Sequence, residues 1–344
     1  MGYPFFVYFL CYNFMKLFIL LIIGFYISLV ACNSPIKHQF IGEAQGTYYS
    51  IIYYDLQDRD LQADIDGLLT SFDLSASNYQ YNSIISKVNR GEDVVLDDIF
   101  LGNYNLALRI SEETNGDFDI TVRPLVQAWG FGSIDAQDMD SSVVDSILQF
   151  VGYRKLKLIN GKIHKEDNRI NLDFDAIAQG YAVDQVCNFL ISKGIESYLV
   201  DIGGEIYAST YKNKNELWSV GIEQPRDSAS YGENLSAILN LSAKGMATSG
   251  NYRKFYIKNG VKYAHTISPH TGFPIASRLL SATVIANTTA EADAYATSFM
   301  VMGVEKSKNF LKNHQQIDAF LIFSDQKGEF DTYFTIGIDS LLKK

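Results

Sequence analysis

Two Asn-Gly dipeptides, Asn160-Gly161 and Asn259-Gly260, each join two short strand-like runs, residues 155–159 with 162–164 and 254–257 with 262–264. Asn and Gly tolerate the left-handed backbone of a two-residue turn, so each pair of runs is predicted to fold back as antiparallel strands. Pairing this local argues against a regularly alternating, doubly wound parallel sheet. Around the hairpins lie stretches whose apolar residues repeat at helical spacing. They are residues 61–74, where Ile65, Leu68, Leu69 and Phe72 share a face, then 97–114, stopped by Asn115-Gly116, 141–151, 176–193, 290–303 and 305–313. Residues 39–54, 197–202, 218–222, 235–241, 280–286, 319–323 and 333–336 read as strands, with Tyr48, Ser50, Ile52 and Tyr54 on one side of the first. Hairpins mixed with long helices predict an α+β fold of mixed antiparallel sheets with packed helices. With six prolines, no repeat and no low-complexity tract, residues 39–344 read as a single compact bilobed unit.

The densest chemistry lies in Leu172-Asp173-Phe174-Asp175-Ala176-Ile177-Ala178-Gln179-Gly180-Tyr181-Ala182-Val183-Asp184. Two carboxylates precede small residues that open a helix. A helix start carries unpaired N–H groups and the positive end of the dipole, and small residues admit a phosphate-bearing ligand to the main chain. Two readings stand on the residues alone: an anion or metal site, and a helix with Asp175 as its N-cap.

Residues 1–31 contain one charge, Lys16, and an almost unbroken apolar run from Leu17 to Val30. Met15-Lys16 followed by that run makes a short signal peptide, with Met15 the expected start and residues 1–14 resembling translated upstream sequence. A transmembrane anchor that begins earlier is the alternative. Leu29-Val30-Ala31-Cys32 resembles a bacterial lipobox, which makes Cys32 the lipidated N-terminus and residues 32–38 its tether. An ordinary cysteine closing a hydrophobic helix is the competing reading. Of three cysteines, Cys11 leaves with the leader and Cys32 is acylated, so Cys187 has no disulfide partner within the chain. Loss of the leader removes Lys16 alone and leaves 28 basic against 39 acidic residues. That balance argues against nucleic-acid binding, and a dinucleotide ligand would need a cation and local amides to offset the repulsion.

Gly-punctuated segments recur at the ends of these elements, where binding residues concentrate. In order they are Gly46-Thr47-Tyr48, Ser77-Asn78-Tyr79 and Gly116-Asp117-Phe118-Asp119-Ile120-Thr121-Val122-Arg123-Pro124-Leu125, the last running on to Trp129-Gly130-Phe131-Gly132. Asp201-Ile202-Gly203-Gly204-Glu205, Thr248-Ser249-Gly250-Asn251-Tyr252-Arg253, His265-Thr266-Ile267-Ser268-Pro269-His270-Thr271-Gly272 and Glu291-Ala292-Asp293-Ala294-Tyr295-Ala296-Thr297 follow. Each is weak alone. Together and in this order they resemble the ApbE family of FAD:protein FMN transferases, flavin-handling lipoproteins of the bacterial cell envelope, over nearly the whole chain after the leader.

The resemblance implies an ApbE/T-fold-like architecture and an FAD:protein FMN transferase domain over residues 39–344. It implies that FAD is cleaved at its pyrophosphate, that FMN is esterified to a Thr or Ser hydroxyl of a target redox protein, within a short Ser/Thr-Gly-Ala-Ser/Thr sequence, and that AMP leaves. It assigns Mg²⁺ to Asp293, Thr297 and Ala176, the last through its backbone carbonyl because a methyl group cannot coordinate. Asp293 and Thr297, four apart in a helix, share a face, and hard oxygen ligands suit magnesium. Flavin contacts fall on Gln45, Tyr79, Asp117, Phe118, Asp119, Asp173, Gln179 and Ile267. Tyr79 reads either as a face for a flat heterocycle or as a half-buried core tyrosine. His265 is the candidate base for the target hydroxyl and Asp293 the second catalytic candidate, with a structural role the alternative for His265. The implied partners are subunits of a Na⁺-translocating NADH:quinone reductase or a related electron-transfer complex. The implied location is a membrane-anchored lipoprotein facing the periplasm.

Three positions depart from the usual family pattern: Gln179 stands where Lys or Glu is frequent, Ser268 where Asp precedes Pro269, and His270 where Arg or Lys is frequent. The site is less charged as a result. Two further functions stay in view, an FAD pyrophosphatase giving FMN and AMP and a flavin-binding lipoprotein without turnover.

Overall fold

The computed structural model describes residues 34–131, 138–213, 216–225, 234–251, 255–258, 261–264 and 266–343. The expected leader, Cys32 and His265 therefore lie outside the described residues. Contacts divide the chain into a large unit, Lys37–Tyr54 with Asp60–Lys344, and a small one, Met1–Ile36 with Asp55–Arg59. In the small unit Arg59 forks onto Asp55, Nε to Oδ2 at 2.8 Å and Nη2 to Oδ1 at 2.9 Å. These guanidinium bonds hold the Asp55 carboxyl well below the usual carboxylate range.

The strands are β1 (Ile36–Ala44), β2 (Thr47–Asp55), β3 (Leu156–Ile159), β4 (Lys162–Lys165), β5 (Ser197–Ile202), β6 (Glu205–Ala208), β7 (Trp218–Glu223), β8 (Leu235–Leu241), β9 (Lys244–Gly250), β10 (Phe255–Lys258), β11 (Val261–Ala264), β12 (Leu279–Ala286), β13 (Asp318–Ser324) and β14 (Phe330–Phe334). The helices are α1 (Gln62–Ala76), α2 (Ile84–Asn89), α3 (Asp98–Glu113), α4 (Arg123–Ala128), α5 (Ser141–Leu148), α6 (Ala178–Ser192), α7 (Thr289–Asn313) and α8 (Ile336–Leu341). One sheet runs β1-β2-β5-β6-β9-β12-β13-β14, antiparallel at every pairing from β2 to β14. Pairs β3-β4, β7-β8 and β10-β11 stand apart from it, so the expected mixed antiparallel α+β architecture is present.

Side chains alternate across a strand, and here both faces are covered. Val284 and Ala286 of β12 with Ala319 and Leu321 of β13 pack into the main core, while Ile285, Phe320 and Ile322 between them join Trp218, Val220, Leu239 and Leu241 in a second core. On the main-core side α6 rests on β5 and β6, and α7 rests on β9 and β12. Two bare backbones let α7 come this close. A Cβ on Gly180 of α6 would stand 2.5 Å from the Thr289 carbonyl oxygen, and one on Gly245 of β9 would stand 2.4 Å from the Thr289 amide nitrogen. The start of α7 is thus clamped between a helix and a strand at main-chain distance. Among the described residues no helix is long and apolar enough to cross a membrane.

The first predicted strand is two strands, because Gln45 (φ 54°) and Gly46 (φ 73°) turn the chain. In β2 the main-core side is Tyr49, Ile51 and Tyr53, each at most 1% exposed, while Ile52 and Tyr54 face the second core. Asn160 (φ 50°) and Gly161 (φ 74°) close β3-β4 with Ile159 opposite Lys162, as the dipeptide predicts. Strands β10 and β11 pair Lys258 with Val261 on either side of the second dipeptide, which lies outside the described residues. The helices expected at 290–303 and 305–313 meet at Gly303, whose φ of 72° and ψ of 179° break α7. Residues 333–336 are not one strand: β14 ends at Phe334, and Ile336 opens α8.

Gly245→Ala is expected to lower stability by about 1–3 kcal/mol, since its methyl would meet main-chain atoms that cannot rotate away. Urea denaturation measures this as a lower midpoint at unchanged slope; an unchanged midpoint would mean the clamp has slack.

Candidate functional site

The starts of α6 and α7 exchange hydrogen bonds. Asp293, near the start of α7 and 7% exposed, accepts the Gly180 amide of α6 at 3.1 Å. Gly180 is the third residue of α6, so its amide is one of those at a helix start that no carbonyl of its own helix reaches. Among the described residues no main-chain amide is bonded to the Ala176 carbonyl. In return Asp184, one turn along α6 from Gly180, accepts the amides of Thr289 and Ala290, each at 2.9 Å. Burial pushes the Asp184 carboxyl up to about 6, against the pull of those two amides. Burial also raises Asp293, whose one favourable hydrogen bond is that of Gly180. Thr297 follows Asp293 by one turn, with its hydroxyl 3.1 Å from that of Ser249 on β9.

The expected metal set therefore has its two halves joined through the Gly180–Asp293 bond. No three His, Cys, Asp or Glu side chains cluster as metal ligands among the described residues. The set offers instead one carboxylate, one hydroxyl and one main-chain carbonyl that no described main-chain amide occupies. These are hard oxygens, few in number, which fits magnesium with water and substrate phosphates completing its shell.

A second set surrounds Asp173. Its Oδ2 pairs with Arg123 Nη1 at 3.2 Å, with side-chain exposures of 11% and 14% respectively. Its Oδ1 accepts Asn78 Nδ2 at 3.3 Å and the Asp175 amide at 2.9 Å. The N-cap reading of Asp175 is overturned: Ile177 occupies the N-cap of α6 without a side-chain cap, and the Asp175 carboxylate accepts the Tyr79 hydroxyl at 3.3 Å. Asp175 keeps one side open to solvent while surrounding atoms crowd its carboxyl, and this desolvation, then the Asp173 charge, raises its pKa. Tyr79 is 68% exposed, which removes the core-tyrosine reading. Its ring is presented at the surface beside two carboxylates, and the Asp175 charge is the largest cause of its raised pKa.

The remaining expected contacts divide by what their side chains already do. Asp119, 8% exposed, accepts the Thr121 amide at 2.8 Å, the Thr121 hydroxyl at 2.6 Å and the Tyr153 amide at 2.8 Å. Burial raises its pKa, and those donors oppose the rise. Asp117, 3% exposed, accepts Lys306 Nζ at 2.8 Å and lies 3.1 Å from His270 Nε2. Phe118 and Ile267 are 3% and 4% exposed inside cores, and the Phe118 amide is bonded to the Thr114 hydroxyl at 3.2 Å, so their side chains are not open to a ligand. Gln45 holds the left-handed β1-β2 turn, with its Oε1 buried and unpartnered. Gln179 Nε2 lies 2.7 Å, and Thr47 Cγ2 2.8 Å, from where a Cβ on Gly203 would stand. Gly203 is itself left-handed (φ 68°), so the residue following the Gln45-Gly46 turn, the β5-β6 turn and the start of α6 meet at a glycine. Ser268 replaces the usual Asp without loss of the turn, since its hydroxyl accepts the His270 and Thr271 amides at 3.3 and 3.2 Å.

Asp184, Asp175, Arg123 and Lys306 were not among the expected site residues. Asp184 carried a signal, its four-residue spacing from Gly180, but its partners lie in a distant helix. A surface cavity of about 290 Å³, bordered by Glu43, Tyr49, Asp66 and Asp73, shares none of the site residues. Without a basic lining residue it is unsuited to a phosphate-bearing ligand.

The ApbE family model matches residues 45–321. An FAD:protein FMN transferase of Vibrio cholerae is 32% identical over 327 residues, covering 92% of this chain and 96% of its own. That of Escherichia coli K12 is 31% identical over 313 residues, covering 88% of each. The solved structure of the flavin transferase ApbE from Vibrio cholerae superposes with a TM-score of 0.80 at 31% identity, over 90% of this chain and all 100% of that one. The apo flavinyl transferase ApbE of Pseudomonas stutzeri gives 0.80 at 29% identity, over 91% and 98%.

Removing a donor from Asp119 penalises its charged form. Thr121→Val is expected to cost about 1–3 kcal/mol at pH 7. With its pKa raised further, Asp119 is then protonated more readily in the folded state, so the cost shrinks on acidification toward pH 5. Paired urea denaturations at the two pH values check the sign.

Proposed function

Because the chain belongs to the ApbE family, we infer that it transfers FMN from FAD to a target protein. The target's Thr or Ser hydroxyl oxygen attacks the phosphorus on the FMN side, the pyrophosphate P–O bond breaks, and AMP departs. Such transfer asks for positioning and charge neutralisation more than for covalent work by the protein. The observation that carries the reading is the Gly180–Asp293 bond, which ties the face of α7 bearing Asp293 and Thr297 to the start of α6, just after the Ala176 carbonyl, to which no described main-chain amide is bonded.

Asp293, Thr297 and the Ala176 carbonyl are the proposed holders of Mg²⁺, which when bound neutralises phosphate oxygens as charge develops on the leaving group. The exposed Tyr79 ring offers a face to a flat heterocycle, and Asp173, kept in place by Arg123 and Asn78, offers an oriented acceptor. The hydroxyl proton needs a base, for which His265 is the proposal from the sequence. The proposed targets are subunits of a Na⁺-translocating NADH:quinone reductase or a related complex, and lipid at Cys32 is proposed to hold the enzyme at the membrane facing the periplasm.

The test incubates the protein without its leader with FAD, Mg²⁺ and a target carrying Ser/Thr-Gly-Ala-Ser/Thr. A covalent FMN mass increment is expected; AMP release without an increment on any target would make the protein a pyrophosphatase. Asp293→Asn keeps an acceptor for Gly180 while losing the charge, so it is expected to stay folded with FAD cleavage reduced on the order of 10²-fold. Near-wild-type turnover in that variant would refute the metal assignment. For the anchor, full-length Cys32→Ser is expected to move from the membrane to the soluble fraction and to lose the acyl mass at the mature N-terminus.

A further inference from the structure

Thr288, the N-cap of α7, accepts one amide, that of Glu291 at 3.2 Å. The two amides before it have no carbonyl of their own helix within reach. Asp184 reaches across from α6 and takes both, Thr289 and Ala290, one on each carboxylate oxygen. A single rigid side chain holding two successive amides fixes both the rotation of the helix about its axis and its advance along it. The same turn is pressed between Gly180 and Gly245, where no Cβ can stand. Asp293 lies four residues beyond Thr289 and returns a bond to Gly180, which sits four residues before Asp184. The bonds close a ring: Gly180 to Asp293, along α7 to Thr289 and Ala290, across to Asp184, and back along α6 to Gly180.

We propose that Asp184 is a positioning residue for the metal-binding face of α7, setting where Asp293 and Thr297 stand relative to the Ala176 carbonyl. The proposal rests on the metal assignment above. Asp184 touches neither metal nor substrate in this scheme; it acts through the main chain of the helix that carries two of the three ligands. Partners that orient metal ligands typically alter metal affinity by about 10–100-fold when changed.

The probe is Mn²⁺ alone, titrated into the protein without its leader and followed by electron paramagnetic resonance of the free ion, with thermal melts in metal-free buffer. Asp184→Asn exchanges one acceptor for an NH₂ that faces an amide N–H, and is expected to weaken Mn²⁺ binding by about tenfold or more. Asp184→Glu keeps the charge and both oxygens but moves them by a methylene, and is expected to melt near wild type while still binding Mn²⁺ less tightly. Thr288→Ala removes the helix's own cap, and is expected to lower the melting temperature with Mn²⁺ affinity unchanged. Either Asp184 variant folded and binding Mn²⁺ like wild type would overturn the proposal, as would an equal loss of affinity in Thr288→Ala. Wild-type protein that binds no Mn²⁺ would instead overturn the metal assignment, and this inference with it.

Discussion

Two helix starts short of hydrogen-bond acceptors satisfy one another in this protein, each with a carboxylate supplied by the other. A helix begins with amides that its own carbonyls cannot reach. Here α6 meets that need at Gly180 with Asp293, and α7 meets it at Thr289 and Ala290 with Asp184. The exchange requires the two backbones to touch, which explains glycine at 180 and 245, and it places the helices against the central strands of the large sheet. The metal proposal follows from this arrangement, because the amide that fastens Asp293 sits four residues after Ala176.

The exchange also answers a charge problem. The chain carries a net charge of -10, and a dinucleotide is an anion. The positive ends of two helices converge where Asp293 and Ala176 stand. Arg123 is tied to Asp173 and Lys306 to Asp117, so these cations are already balanced by carboxylates. A site built this way gains little from long-range attraction, which is why the proposed function gives it a cation that accompanies the substrate.

Much of the fold was legible where the information is local. The Asn160-Gly161 hairpin and helices α1, α3, α6 and both segments of α7 lie close to where turn chemistry and apolar spacing put them. Short elements such as α2, α4 and β6 were not predicted, because six residues or fewer cannot show a period. The Gln45-Gly46 turn was hidden inside an alternating run, since a tight turn hardly interrupts alternation. In the site, residue types in motif order led to Asp173, Asp293 and Thr297. The N-cap role of Asp175 failed because that residue's partner, Tyr79, is 96 positions away and invisible to local spacing. Side-chain burial was equally hidden: nothing in the order of residues separates Phe118, which is core, from Tyr79, which is surface.

The bond between Gly180 and Asp293 spans 113 positions of sequence. Closing so long a loop costs chain entropy before the contact repays it, which makes contacts of this kind among the slower events of folding. Neither helix alone carries the whole proposed metal set: α7 brings Asp293 and Thr297, and the Ala176 carbonyl stands before the cap of α6. The set is therefore complete only once the two helix starts have met.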